Sequence, residues 1–219
     1  ESIQSASKDA LTNEINKIDS MNIKSNFLID SPFLSNNEQN YLNNFLLSFS
    51  MLKGIKDLKY LAKGKRSEVY IGNYRKKKII IKKSKRAKIE AKWLKLLNKY
   101  QIGPKFIFLG KNYLVYEFVK GERILEYKGD IKFAVKKILE QCRKMDKLGI
   151  NKKEMQNPYK HILIDNKKVK MIDFERCYYS KKVKNVTQFC QFVRNKIFRN
   201  LDNKRFEKIL KKYKKNPNN

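Results

Sequence analysis

The segment KMIDFERCYY (170–179) ends an apolar run on an acid: Asp173 follows Met171-Ile172 and is followed by Glu175-Arg176. A carboxylate at a strand end is either a turn residue or an oxygen ligand for a divalent cation, and what stands upstream decides between them. Lys82 closes the apolar triplet 79–81, and Glu90 lies eight residues further on, in the first turns of a helical stretch. A lysine held by a carboxylate presents its ammonium to phosphate oxygens; the plain alternative is a surface lysine with an i,i+4 partner. Glu154 is a carboxylate able to accept a hydroxyl proton, and His161, the only histidine, is either a ligand or phosphate contact or a hairpin residue bonded to backbone. In LAKGKRSEVY (61–70), Ala62, Gly64 and Ser67 are small enough to let backbone N–H groups approach phosphate oxygens, although a β-hairpin turn would have the same composition.

These residues need elements to position them. Stretches 58–63, 67–74 and 77–83 read as strands, with Gly64 and Gly72-Asn73 as turn signals. A helix is expected over about 85–99, with Ser84 as its cap and Ile89, Trp93, Leu96 and Leu97 facing inward. FIFLG and YLVYEFV form two strands, joined through Gly110-Lys111-Asn112. Asp130 caps a long helix with Ile131, Val135, Ile138, Cys142 and Met145 on its inner face, ending at Gly149. HILID and KVKMIDF make a hairpin turning at Asn166-Lys167, and two basic helices close the chain near 185–200 and 202–214. Before residue 50, Leu11, Ile15 and Ile18 share one helical face. There Ser35 to Glu38 has capping-box spacing, ahead of a stripe of Tyr41, Leu42, Phe45, Leu46 and Phe49. The order predicts an α+β chain in two lobes: a helical extension over 1–50, an N-lobe over 51–119 and a small C-lobe over 120–219.

Charge narrows the partners. The chain carries a formal +31, with 43 Lys and nine Arg against 21 acids. A coding bias towards lysine explains the choice of Lys over Arg but not the imbalance of sign. Residues 1–50 have a net charge of −3 and residues 51–219 a net of +34, which places a boundary near Met51. A field of that size attracts polyanions, nucleic acid above all. No apolar run is long enough to span a membrane, and there is no basic region followed by an apolar stretch at the N-terminus, so a cytoplasmic protein without membrane contact is expected. Cys142, Cys177 and Cys190 are odd in number and lack CxxC spacing, and are expected to be reduced core thiols.

Taken together, the motifs resemble those of protein kinases. LAKGKRSEVY is similar to the glycine-rich loop, IIIKK (79–83) to the third strand with its phosphate-contacting lysine, and KIEAKWLKLLNKYQIGPKF (88–106) to the following helix with its glutamate. Asp173-Phe174-Glu175 resembles Asp-Phe-Gly, with glutamate in place of glycine. IGPKF, NPYKHILI, IDFERC and KNVTQFCQF (184–192) further resemble a family of small archaeal kinase-like proteins, distantly related to the Rio and Bud32 atypical kinases, over about residues 58–200. That family includes RNA kinases acting on the ribose 2′-hydroxyl of a variable-loop uridine in tRNA, which stabilises the tRNA against heat and nucleases.

The resemblance implies a two-lobed kinase-like fold with a minimal C-lobe, ATP or another NTP with Mg²⁺ as cofactors, and tRNA as partner of a probable monomer. It implies nucleotide contacts at Gly64, Lys65, Ser67, Lys82, Glu90, Glu117, Val119 and Lys160. Asp173 would hold the metal with His161 in place of the second-metal asparagine, and Glu154 would be the general base. Lys152-Lys153-Glu154 departs from the His-Arg-Asp of kinases, and the loop to His161 is longer. Lys181, Lys182, Lys184, Arg194, Lys196 and Arg199 would track RNA phosphates, with Lys204 and Arg205 beside them. Only 46 residues follow Asp173, without an Ala-Pro-Glu segment, which disfavours a peptide platform. The rivals are an atypical Ser/Thr protein kinase and a non-catalytic RNA-binding pseudokinase.

Overall fold

A computed structural model describes residues 54–166, 168–200 and 202–215. The helices expected before residue 50 lie outside that range. The chain divides into two units, Glu1–Leu58 and Lys59–Asn219. The first is described only over 54–58, and apart from the opening residues of the first strand all that follows concerns the second.

A five-stranded sheet has the order β1-β2-β3-β5-β4. Its strands are β1 (Ile55–Lys63), β2 (Glu68–Tyr74), β3 (Lys77–Lys83), β4 (Phe106–Leu109) and β5 (Tyr113–Glu117). The β2–β3 hairpin turns at Arg75-Lys76, both at positive φ, as a two-residue turn between right-twisted strands requires. This corrects the expected turn at Gly72-Asn73: both residues are paired within β2, opposite Ile79 and Lys78. The ladder runs past the glycine, Asn73 opposite Lys78 and Tyr74 opposite Lys77, and pairing overrides the local turn signal.

Helix α1 (Ala87–Asn98) follows β3. Its N-cap is Arg86, not Ser84, although the Ser84 hydroxyl and carbonyl still accept from the Arg86 and Ala87 amides. The buried face is Ala87, Glu90, Ala91, Trp93, Leu94 and Leu97, while Ile89 is exposed and Leu96 half-buried, so the helix is rotated from the expected phase. Asn98 ties the helix end to β4 by donating to the Ile102 and Pro104 carbonyls and accepting from the Phe106 amide.

The second lobe is built on α2 (Ile131–Lys147), whose Asp130 carboxylate accepts from the Phe133 amide as a cap should. Val135, Ile138, Cys142 and Met145 are buried along it. A three-stranded sheet of β6 (Glu122–Arg123), β8 (Ile162–Asp165) and β9 (Lys168–Met171) has the order β6-β8-β9. β7 (Ile150–Lys152) pairs with β10 (Cys177–Tyr179), and 3₁₀ turns at Lys153–Gln156 and Tyr159–His161 join β7 to β8. Helices α3 (Asn185–Lys196) and α4 (Asn203–Lys215) follow. All three cysteines are free thiols; Cys142 and Cys177 are buried and Cys190 half-buried. No helix among the described residues is long and apolar enough to cross a membrane.

Candidate active site

Lys82 lies on β3 on the face that α1 covers, while strand alternation sends Lys83 to the other face, where it meets Glu68 at 3.4 Å. The Lys82 ammonium is buried and stands 2.8 Å from Glu90 Oε2 and 2.9 Å from Asp173 Oδ1. Two consecutive elements and a third, 91 residues further on, thus meet at one nitrogen. Burial works against charge on this amine, but the carboxylates of Glu90 and Asp173 outweigh it and hold its pKa well above the ordinary lysine value. Burial pushes the Glu90 carboxyl up against the pull of Lys82. Asp173 goes the other way: burial would raise it, but Lys82, through charge and hydrogen bond, holds it below the ordinary aspartate value.

Asp173 has φ +64°, a left-handed conformation that Asp tolerates better than most residues. The reversal sends its carboxylate towards Lys82 while Phe174 turns into the core. Phe174 is fully buried, and its amide donates to Glu90 Oε1 at 3.3 Å. A Cβ on Gly103, itself at φ +83°, would come within 2.7 Å of the Phe174 ring, so glycine is required there on two counts. His161 Nδ1 is 3.5 Å from Asp173 Oδ2. Burial first, and then the charges of Lys152 and Lys82, keep the imidazole pKa below its usual value against the pull of Asp173 and Glu154, which favours the neutral ring.

Glu154 sits in the first 3₁₀ turn with its side chain 6% exposed. Its Oε2 accepts from Lys152 Nζ at 3.1 Å. Its Oε1 faces Arg176 Nε at 3.5 Å and has no hydrogen-bond partner. The carboxylate is therefore held at one oxygen by Lys152, while the other is buried and faces Arg176.

Lys152 is a residue whose role the sequence did not disclose. It is fully buried; its ammonium donates to the Asp173 carbonyl and to Glu154, and lies 5.1 Å from the centre of the Phe174 ring. Its backbone amide donates to Asn185 Oδ1 at 2.8 Å. Asn185 in turn donates to Asp146 Oδ1 at 2.7 Å and to the Ile150 carbonyl at 2.6 Å, and Asp146 also accepts from Tyr213 at 3.0 Å. One buried polar network thus runs from α4 through α2 and α3 to the peptide that carries Asp173. Glu175 is the second such residue, its carboxylate lying within reach of those of Glu90 and Asp173: one ligand oxygen from each falls within 4.8 Å of the others.

The remaining expected contacts are distributed as follows. Gly64 and Ser67 close the β1–β2 turn, the Gly64 amide donating to the Ser67 carbonyl at 2.7 Å, and Lys65 is exposed between them. Lys160 is exposed in the second 3₁₀ turn. Glu117 pairs with Lys77 at 3.3 Å, and with Val119 it lines a cavity of about 930 Å³ whose walls include none of Lys82, Glu90, Glu154 or Asp173. Lys181, Lys182, Lys184, Lys196 and Arg199 are exposed, whereas Arg194 is half-buried over the Phe206 ring at 5.5 Å.

Carboxylate oxygens at this spacing, with an ammonium beside them, suit a hard divalent cation and the phosphates it accompanies. Asp173 is the residue that would hold it, with Glu90 and Glu175 nearby; the neutral His161 imidazole is the poorer donor for Mg²⁺.

No family model matches the sequence, and no curated protein matches it. In structure the chain is similar to Rio2 kinase from Chaetomium thermophilum, solved as an ADP/Mg²⁺-phosphoaspartate complex, with a TM-score of 0.59 at 15% identity over 75% of this chain and 62% of that one. A looser likeness, with a TM-score of 0.49 at 7% identity, is to an aminoglycoside phosphotransferase in complex with AMP-PNP and hygromycin B, over 68% of this chain and 81% of that one. The chain thus spans less than two thirds of the Rio2 chain's length, and its fold is protein-kinase-like.

Proposed function

We propose that the chain is an RNA kinase that transfers the γ-phosphoryl group of ATP, or of another NTP, to a ribose 2′-hydroxyl of tRNA, at a variable-loop uridine. The observation that carries the phosphotransferase reading is the convergence of β3, α1 and the β9 end on one buried ammonium, with Glu90 at 2.8 Å and Asp173 at 2.9 Å. Burying Lys82 and Glu90 is costly even when they are paired, and the Asp173 side chain at the same cluster stays 30% exposed, which leaves it open to a ligand. Asp173, with Glu90 and Glu175 near it, would hold Mg²⁺, whose charge would offset that of the phosphates. Lys82, fixed by Glu90, then orients the triphosphate. Asp173, fixed by Lys152 through its own carbonyl, aims its carboxylate into the same space. Glu154 is the candidate to accept the proton of the attacking hydroxyl, and the oxygen that loses it bonds to the γ-phosphorus as the bond to the leaving β-phosphate oxygen breaks.

Two observations support RNA as the acceptor. Residues 51–219 carry the whole positive excess, and lysines and an arginine at 181, 182, 184, 196 and 199 stand exposed on the stretch that follows the site. Between Asp173 and α3 there are only residues 174–184, part of them in β10, too short a span for an activation loop that forms a peptide platform. A Rio-type kinase with a protein acceptor is equally consistent with the fold. Incubation with γ-labelled ATP, total tRNA and a protein substrate separates the two, followed by mass spectrometry of the digested tRNA. We expect one nucleoside carrying an added phosphate on its ribose. Label confined to protein selects the Rio-type reading, and RNA binding without any transfer selects a pseudokinase.

A further inference from the structure

Glu175 occupies the position where the kinase motif has glycine, and its surroundings suggest what the substitution does. Its side chain is 9% exposed, yet its two cationic neighbours are distant: Arg66 and Arg86 each bring a guanidinium nitrogen to 3.9 Å from the same oxygen, Oε1. Neither contact reaches hydrogen-bond length. Arg66 comes from the β1–β2 turn and Arg86 from the residue preceding α1, and both remain partly exposed, at 55% and 38%. The turn, the start of α1 and the segment after Asp173 therefore converge on one carboxylate beside the Lys82 cluster.

We propose that Arg66 and Arg86 form an anion clamp for the terminal phosphoryl group of the nucleotide, which Glu175 occupies until a triphosphate takes its place. Guanidinium forks match the paired oxygens of a phosphoryl group and form shorter, stronger bonds to it than the 3.9 Å contacts they give up. A glycine after Phe174 would leave both arginines without this partner. Glutamate supplies a stand-in anion that keeps the turn drawn towards the segment after Asp173 while no nucleotide is bound. The inference rests on the reading of this cluster as a nucleotide site.

Calorimetric titration in the presence of Mg²⁺ tests it, using AMP-PNP as a non-hydrolysable triphosphate and AMP as a ligand lacking the terminal group. Arg66→Ala and Arg86→Ala are each expected to weaken AMP-PNP binding about tenfold and to leave AMP affinity within about twofold. Glu175→Gln, which keeps the shape but removes the competing charge, is expected to tighten AMP-PNP roughly threefold, since the arginines no longer exchange one anion for another. Unfolding midpoints in urea check that each variant is folded. AMP-PNP binding unchanged in both arginine variants, or an equal loss of AMP, overturns the clamp and leaves the proposed function standing. Glu175→Gln that binds AMP-PNP no better than wild type overturns the exchange. Wild type that binds no triphosphate overturns both readings.

Discussion

Glu90 performs two tasks with its two oxygens, one on Lys82 and the other on the Phe174 amide, so a single helix residue fixes both the ammonium and the turn that aims Asp173. Lys152 does the same from the opposite side, holding the Asp173 carbonyl and one oxygen of Glu154. Removing Lys152 leaves a carboxylate and a carbonyl buried without their donor. Lys152→Met preserves the stem's packing and is therefore expected to cost roughly 3 kcal/mol in urea unfolding. A midpoint shift worth less than about 1 kcal/mol would show that the network is dispensable. Lys82, Glu90 and Asp173 were legible in the sequence because they stand in a fixed order on a strand, a helix and a strand end. Lys152 was not, because one lysine among 43 carries no signal and its immersion depends on α3 and β10, which pack on it from further along the chain. Glu175 was visible as a departure from the motif, but its arginine partners are 109 and 89 residues away and nothing local announces them.

At the level of elements, the buried amide of Asn185 is the joint of the second lobe. It accepts from the Lys152 amide and donates to Asp146 and to the Ile150 carbonyl, while the Asp146 carboxylate also receives the Asn185 and Val186 amides at the start of α3. Asp146 thus does for α3 what an N-cap side chain does for its own helix, from a neighbouring one. Asn185→Ala breaks three buried hydrogen bonds at once, and about 3 kcal/mol of lost stability is expected in urea unfolding. A loss below about 1 kcal/mol would mean that α2, β7 and α3 are held by their apolar contacts alone. Most element types could be read from periodicity and capping, as with α2 and its Asp130. The phase of α1 could not, since its inward face includes the charged Glu90, which hydrophobic patterning assigns to solvent. The turn at Arg75-Lys76 was hidden for a related reason: neither residue has turn character, and the strand pairing on both sides forces them into it.

Across the whole sequence, the positive excess lies after residue 50, and the carboxylates of Glu90, Asp173 and Glu175 are gathered within that part. The exposed lysines that follow the site give the described chain a surface suited to a polyanion, while the acidic cluster gives it an interior suited to a cation and phosphates. Charge imbalance was readable from composition, but its division into a basic exterior and an acidic interior emerges only when the fold brings positions 90, 173 and 175 together. That interior is the proposed phosphoryl-transfer centre. The measurement that tests it most directly is single-turnover transfer from γ-labelled ATP by wild type and by Asp173→Asn, which keeps size and loses charge. The variant should still unfold cooperatively in urea and keep its RNA binding while transfer falls about a thousandfold or more. Transfer by Asp173→Asn at the wild-type rate would contradict the account.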